Sequence, residues 1–426
     1  MVNTMKQVKG TLSLGLILMI ITGTAARAQI NEEDSLALVV LYNTTDGPNW
    51  QDNTDWLAEP VAQWHGVEVT EDRVTGLDLN SNQLTGSIPP ELGNLANLRA
   101  LNLNSNQLTG SIPPELGNLA NLEILILGRF LEGNKLTGSI PLELGNLARL
   151  KELKLSNNQL TGSIPPELGN LANLVHLLLD GNQLTGSIPP ELGNLTNLTW
   201  LRLTFNRLTG SIPLELGNLA SLKFLQLFNN QLTGSIPPEL GNLTTLTELD
   251  LGRNQLTGSI PSELGNLTDL KQLILSNNPL SGTLPLSLTN LSVLEGFWFD
   301  ETDLCEPIDD AFQTWLQGIF IVFSTGCTNV ATEEATEVPS DFALEANYPN
   351  PFSSLTRIRY ALPQRAAVRL SVYDVQGRLV RLLVEAEQAA GWHEVTFEAG
   401  ALPSGVYFYR LEAGIFRDSK AMRLVK

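Results

Sequence analysis

Apolar residues return along this chain with two rhythms, and each rhythm predicts a different kind of element. Leu77, Leu101, Leu153, Leu177, Leu201, Leu225, Leu249 and Leu273 fall into a 24-residue period, with one longer 28-residue unit after Leu125. The stretch "NQLTGSIPPELGNL" that begins at Asn82 returns unchanged at Asn106, Asn158, Asn182 and Asn230, and slightly altered at Asn134, Asn206 and Asn254. The unit reads LxxLxLxxNxLTGxIPxxLGNLxx. Self-similarity at this period predicts a solenoid in which each coil buries its apolar face against its neighbours. Around Leu98, Leu101 and Leu103 alternate side chains point one way, as a short strand requires. Leu108, Ile112, Leu116 and Leu119 carry the stripe around the rest of the coil. Gly110 admits a backbone shape that a side chain would block, and Pro113 stops the strand from extending. Asn106, at the bend, is expected to turn its amide inward and form a ladder with Asn82 and Asn158.

The second rhythm starts after residue 341. "RIRYAL", "AVRLSVYDV", "HEVTFEA" and "GVYFYRLEA" alternate apolar and polar positions between Gly and Pro turns, which predicts several short strands in about 85 residues and a small β-sandwich. Residues 329–341, "NVATEEATEVPSD", are polar, acidic and aperiodic, and read as a linker.

The repeat resembles that of leucine-rich repeat proteins, in the LTGxIPxxLGxL subtype known from plant receptor ectodomains and polygalacturonase inhibitors. The resemblance covers residues 74–294. It implies an α/β-type solenoid with a parallel inner sheet, an irregular or 3-10 outer side, and a second short strand near the LTG segment. Residues 29–73 are similar to the N-terminal cap of that subtype, with Leu36, Val40 and Leu41 suited to a helix and Trp50, Trp56 and Trp64 closing the first coil. The plant cap usually carries cysteine pairs and this one has none, so aromatic packing is expected to hold it. Sugar stacking on the three tryptophans is the weaker alternative. Residues 295–328 read as a C-terminal cap. They hold both cysteines of the chain, Cys305 and Cys327, for which a disulfide is the default in an exported protein.

Residues 342–426 resemble the C-terminal sorting domain of type IX secretion cargo in the Bacteroidetes and their relatives. The matching residues are Tyr348-Pro349-Asn350-Pro351-Phe352, Tyr373-Asp374 with Gly377, Gly391 with His393, Ser404-Gly405-Val406-Tyr407, and the terminal "KAMRLVK" ending at Lys426. This resemblance implies an Ig-like sandwich that engages the type IX machinery, with the cargo then released or attached to the outer surface of a Gram-negative cell.

Charge and composition narrow the function. Lys6 and Lys9 precede the apolar run Leu12–Ile21, and Ala26-Arg27-Ala28 forms a cleavage box, so residues 1–28 read as a secretory signal peptide. No stretch reaches the roughly 20 apolar residues of a transmembrane helix, so no transmembrane anchor is expected. Residues 30–341 hold 37 acidic against 12 basic residues. Such a surface repels phosphate backbones and argues against nucleic acid. No HExxH, CxxC, calcium loop or phosphate cradle appears, and His65, His176 and His393 sit in no nucleophile context. The reading is therefore a binding protein without catalytic residues, metal or cofactor.

The variable letters lie just before each constant block. Between the inward leucines they form two columns on the concave face. The first runs Gly76, Ala100, Ile124, Glu152, His176, Trp200, Phe224, Glu248, Gln272, Gly296. The second runs Asp78, Asn102, Ile126, Lys154, Leu178, Arg202, Gln226, Asp250, Ile274, Trp298. The early coils are bland, whereas the coils from 176 to 228 gather His176, Trp200, Arg202, Phe205, Phe224 and Phe228. With Trp298 these residues are the expected ligand contacts, for a protein or a glycan. The alternatives are a passive spacer and a surface-ordering or ice-ordering array built on the Thr-Gly-Ser columns (Thr85/Ser87, Thr109/Ser111 and onward). The four-residue excess at Arg129–Glu132 is expected to bulge beside the concave face, with Phe130 and Leu131 at its tip.

Overall fold

A computed structural model of the chain describes residues 30–58, 60–129, 133–327, 341–400, 402–414 and 416–426. The signal segment, most of the linker, and Phe130 and Leu131 lie outside the described residues. The chain divides into two compact units, residues 1–329 and 330–426.

The first unit is the solenoid. Each coil contributes one short strand to a 12-stranded sheet, which opens with the antiparallel pair Val67–Thr70 and Arg73–Asp78 and then runs parallel, coil after coil, to Ile321–Phe323. Leucines that recur at the inward positions, such as Leu98, Leu101, Leu103, Leu116 and Leu119, are fully buried. Each adds about 2 kcal/mol of apolar burial. On the outer side every coil makes a five-residue 3-10 turn, from Pro90–Asn94 to Leu286–Asn290. The reason for glycine in "LGN" is close approach. A Cβ on Gly117 would stand 2.4 Å from the carbonyl oxygen of Glu143 in the next coil. Second short strands form at Thr233–Gly234 with Gln255–Leu256 and at Ser281–Thr283 with Asp303–Cys305, and shrink to isolated bridges elsewhere.

The asparagine ladder joins adjacent coils. Asn106 Nδ2 donates to the carbonyls of Leu79, Leu103 and Asn104, while its Oδ1 accepts from the N–H groups of Asn82 and Leu84. Next in the ladder is Asn134, from the long unit, rather than Asn158. Asn134 Oδ1 accepts from Leu108 N, and Asn158 Oδ1 in turn from Leu136 N. One residue ahead of the ladder, the backbone turns left-handed in coil after coil, with positive φ at Ser81, Ser105, Asn157, Gly181, Phe205, Asn229, Arg253, Asn277 and Glu301.

Both ends of the stack are covered. At the N-terminal end the helix Glu32–Thr44 takes in Leu36, Val40 and Leu41, as expected, and buries Asp34, Ala37, Leu38 and Leu41, while Leu36 is exposed. Trp50, Trp56 and Trp64 are buried in a ring cluster with neighbouring centroids 4.8 and 4.7 Å apart, so they form core. At the other end the helix Asp310–Gly318 packs Phe312 and Leu316, and a Cys305–Cys327 disulfide ties the cap.

The second unit is an antiparallel β-sandwich. Ala343–Leu344, Leu355–Leu362 and Gly391–Glu398 form one sheet, and Leu379–Gln388, Ala366–Tyr373, Gly405–Ala413 and Phe416–Leu424 form the other. Ile358, Tyr360 and Phe397 from the first sheet share a core with Leu370, Tyr409 and Met422 from the second.

Candidate functional site: the inner sheet

The register places the two columns as the spacing predicts. His176, Trp200, Phe224 and Glu248 stand side by side on successive strands, as do Leu178, Arg202, Gln226 and Asp250. Parallel pairing holds neighbours about 4.8 Å apart, so side chains of adjacent coils touch.

They touch as a continuous run. His176 meets Trp200 edge-on at 6.0 Å, and Trp200 lies against Phe224 at 5.2 Å. The Arg202 guanidinium sits over the Trp200 ring at 5.3 Å. Gln226 is the hub. Its Oε1 accepts from Trp200 Nε1 (3.1 Å) and Arg202 Nε (2.7 Å), and its Nε2 donates to Glu248. A second group lies one step along the coils, where Phe205 meets Phe228 edge-on at 5.4 Å and Arg253, from the next coil, lies over the Phe228 ring at 5.5 Å. Phe205 is 51% exposed, whereas His176, Trp200, Phe224 and Phe228 are half-buried in the array.

Phe205 and Arg253 occupy the left-handed slot, at φ 55° and 51°. Most other coils fill this slot with Ser, Asn or Gly, residues that tolerate it. A bulky residue there costs about 1–2 kcal/mol. The two bulky exceptions at this patch contact the same ring, Phe228.

The electrostatics alternate along the sheet. Burial by itself would raise the Glu152 carboxyl, but the Lys154 ammonium hydrogen-bonded to it holds it below the usual range. Burial pushes His176 down, and its Nδ1 lies 3.6 Å from Glu152, beyond a hydrogen bond. Burial raises Asp180, which accepts from Ser156 Oγ at 2.6 Å. Asp250 is pushed up to about 7, by burial first and then by the neighbouring Glu248. Among the described residues no group of three His, Cys, Asp or Glu is placed to hold a metal ion, and no helix is long and apolar enough to cross a membrane.

Trp298 does not join the cluster. The strands Glu248–Asp250 and Gln272–Ile274 lie between, and its ring folds back over Gly296, where a Cβ would stand 2.2 Å away, and stacks on Phe323. Gln226, Glu248 and Asp250 stand in the columns by their spacing, but spacing alone gives them no part in the site. The adjacency of Gln226 to Trp200 and Arg202 across one strand was the available signal.

In the sandwich, Asn350, Phe352, Gly405 and Tyr407 lie against the C-terminal strand, while Gly377 closes a separate turn. Asn350 Oδ1 accepts from Arg423 N, and Phe352, buried, exchanges backbone hydrogen bonds with Arg423 and Val425. Pro349 O accepts from Thr356 Oγ1, and the peptide bonds preceding Pro349 and Pro351 are cis. Tyr348 pairs its backbone with Arg357 and leaves its ring exposed. Gly377 takes the left-handed turn closed by Asp374. Gly405 and Tyr407 pair with Leu424 and Met422, and Lys426 N donates to Ser404 Oγ.

Comparisons with known proteins agree with both geometries. Leucine Rich Repeat models match residues 73–95, 97–119, 149–171, 173–195, 197–219 and 269–291, a two-copy repeat model matches 220–266, and the Secretion system C-terminal sorting domain matches 346–423. The chain is a leucine-rich repeat protein with a C-terminal secretion sorting domain. The sorting domain marks this leucine-rich repeat protein for export, to the cell surface or beyond it. Its solenoid is similar to the ectodomain of the Arabidopsis thaliana receptor kinase GASSHO1/SCHENGEN3, solved in complex with CASPARIAN STRIP INTEGRITY FACTOR 2 (39% identity, TM-score 0.63, 68% of this chain and 35% of that one). The Arabidopsis HAESA ectodomain, solved with an IDA peptide hormone ligand, is 38% identical with a TM-score of 0.58, over 66% of this chain and 47% of that one. The chain thus spans between a third and a half of those receptor ectodomains. A plant ice-binding protein is 29% identical with a TM-score of 0.59, over 71% of this chain and 99% of that one. No curated protein sequence matches the chain.

Proposed function

We propose that this protein is an exported, non-enzymatic recognition protein that holds an extended segment of a protein ligand on its inner sheet, across Trp200, Arg202, Phe205, Phe224, Gln226 and Phe228. The observation that carries the reading is the pair of bulky residues in the left-handed slot. Phe205 and Arg253 sit there at a conformational cost and both contact the Phe228 ring, while most other coils use Ser, Asn or Gly. Apart from Glu301 in the C-terminal cap, the bulky occupants of this slot fall at one patch, and strain kept at one patch of a repetitive scaffold points to a role beyond folding. The aromatic–Arg–Gln composition suits a recognition hot spot, and the similar HAESA ectodomain was solved with a peptide hormone ligand. Export runs through a type IX system of a Gram-negative cell, by way of the motif residues Tyr348–Phe352, Gly377, Gly405, Tyr407 and Lys426.

The test is a protein, peptide and glycan array probed with the full chain and two variants. Trp200→Ala/Phe224→Ala should abolish the signal. Phe205→Asn should weaken it at least tenfold while the melting temperature holds or rises. Binding that survives both variants would refute the site, and signals confined to glycans would refute the protein ligand.

A second reading rests on a different face. Thr109, Ser111, Thr137, Ser139, Thr161 and Ser163 are exposed in regular columns, and the plant ice-binding protein is matched over nearly its whole length. An ice-recrystallisation assay decides it, since inhibition at micromolar protein supports an ordering array and no inhibition removes it.

A further inference from the structure

The inner sheet ends at Ile321–Phe323, whose sheet partner is Gly296–Trp298, with Ile321 beside Gly296 and Phe323 beside Trp298. Ile321 N donates to Glu295 O at 3.0 Å, and Phe323 O accepts from Phe299 N at 2.8 Å. In a parallel ladder alternate residues turn their backbone groups to opposite sides, so the N–H and C=O of Val322 face away from the sheet. The residues that follow leave this edge. Thr325 donates its hydroxyl to Leu304 O, and Glu306 N donates to Cys327 O beside the disulfide.

The side chains here are uncharged, and two large apolar ones among them are exposed. Residues 311–327 contain no charged residue, in a chain of net charge −19. Phe320 is 89% exposed and Phe323 53%. The opposite end of the sheet, Val67–Thr70, carries Glu68 and leads directly into Glu71 and Asp72. Charges on an edge strand are a common guard against pairing, and only one of the two edges has them.

We propose that the Ile321–Phe323 edge pairs with the same edge of a second copy, antiparallel about a two-fold axis, so that two inner sheets continue into one. A second copy fits because pairing about a two-fold axis is self-complementary, the Val322 N–H and C=O of each chain meeting the same kinds of group on the other. It also fits the charge. Two chains this acidic repel over most of their surface, and at an uncharged edge with exposed Phe320 and Phe323 they approach with less of that cost. Phe320, Phe323 and part of Ile321 and Trp298 would cover about 400 Å² per copy at roughly 150–250 Å² for a fully buried aromatic. That is short of the ~800 Å² per partner of a standard stable complex, so the dimer is weak, with a dissociation constant on the order of 10 μM or higher.

Sedimentation velocity of the full chain from about 1 to 200 μM, with hydrogen exchange at both ends of that range, tests the proposal. The expected result is a monomer–dimer equilibrium in which the Val322 amide exchanges more slowly at high concentration. Phe320→Glu, at a position too exposed to disturb the fold, should weaken the association at least tenfold with an unchanged melting temperature. A monomer at every concentration would overturn the proposal. So would a Val322 amide protected equally throughout, which would mean that the chain covers its own edge. Open-ended growth beyond dimers, or association unaffected by Phe320→Glu, would overturn it as well.

Discussion

Asp250 lies on the inner sheet between Gln226 and Ile274, with Glu248 two residues away on the same face. Its Oδ1 accepts the Gly252 N–H at 3.1 Å. Burial is the main cause that lifts it from 3.8 to about 7, and the Glu248 carboxylate adds to it, while the Gly252 N–H and Arg202 oppose. The folded state therefore keeps a proton that the unfolded chain has already released between about pH 4 and 7. Stability linked to this group is present in full below pH 4, falls as pH rises through that window and is level above it. The distance from 3.8 to about 7 corresponds to roughly 4 kcal/mol. Water on the open side of a half-buried carboxyl screens part of this, and we expect about 2 kcal/mol to be measured. Asp250→Asn has nearly the same shape, keeps an acceptor for Gly252 and cannot ionise. Urea unfolding of both proteins at pH 5 and pH 8 is the assay. Between these values wild type should lose about 1 kcal/mol more than the variant, the remainder being lost below pH 5, so that the variant is the more stable at pH 8. Parallel pH profiles for the two proteins would refute the reasoning, because they would mean that Asp250 does not titrate in the window.

The remaining predictions concern the scaffold. Asn182 donates to the carbonyls of Leu155, Leu179 and Asp180 and accepts from Leu160 N, all buried, so Asn182→Ala should cost about 3 kcal/mol in chemical unfolding by leaving backbone groups unpaired. An Ala that melts like wild type would show that water replaces the amide. Asp34 is fully buried and takes two hydrogen bonds from the Arg73 guanidinium and one from Val74 N. Asp34→Ala should destabilise the N-terminal cap by about 3–5 kcal/mol and speed amide exchange there first, because Arg73 loses its counter-charge. Uniform loss of protection along all coils would argue against a local cap role.

The sequence by itself determined the solenoid, because a coil that repeats its inward leucines, its bend asparagine and its close-approach glycine has one way to satisfy them all. It likewise determined the two columns, since a constant 24-residue step fixes which variable residues are neighbours, and the ordered motifs of the sandwich. Only the tertiary structure decided how those neighbours engage. Gln226 reads as an unremarkable polar residue until its amide is found between Trp200, Arg202 and Glu248. Trp298 reads as another aromatic of the same column until its ring is seen folded over Gly296, out of reach of the cluster. Phe205 reads as an exposed ring until its left-handed backbone is seen. Asp34 and Arg73 stand 39 residues apart, and nothing in the periodicity pairs them. The physical reason is common to these cases. Periodicity reports which backbone positions are equivalent, whereas side-chain reach, ring stacking and the sharing of a hydrogen-bonding group depend on three-dimensional neighbours that a repeat pattern does not specify.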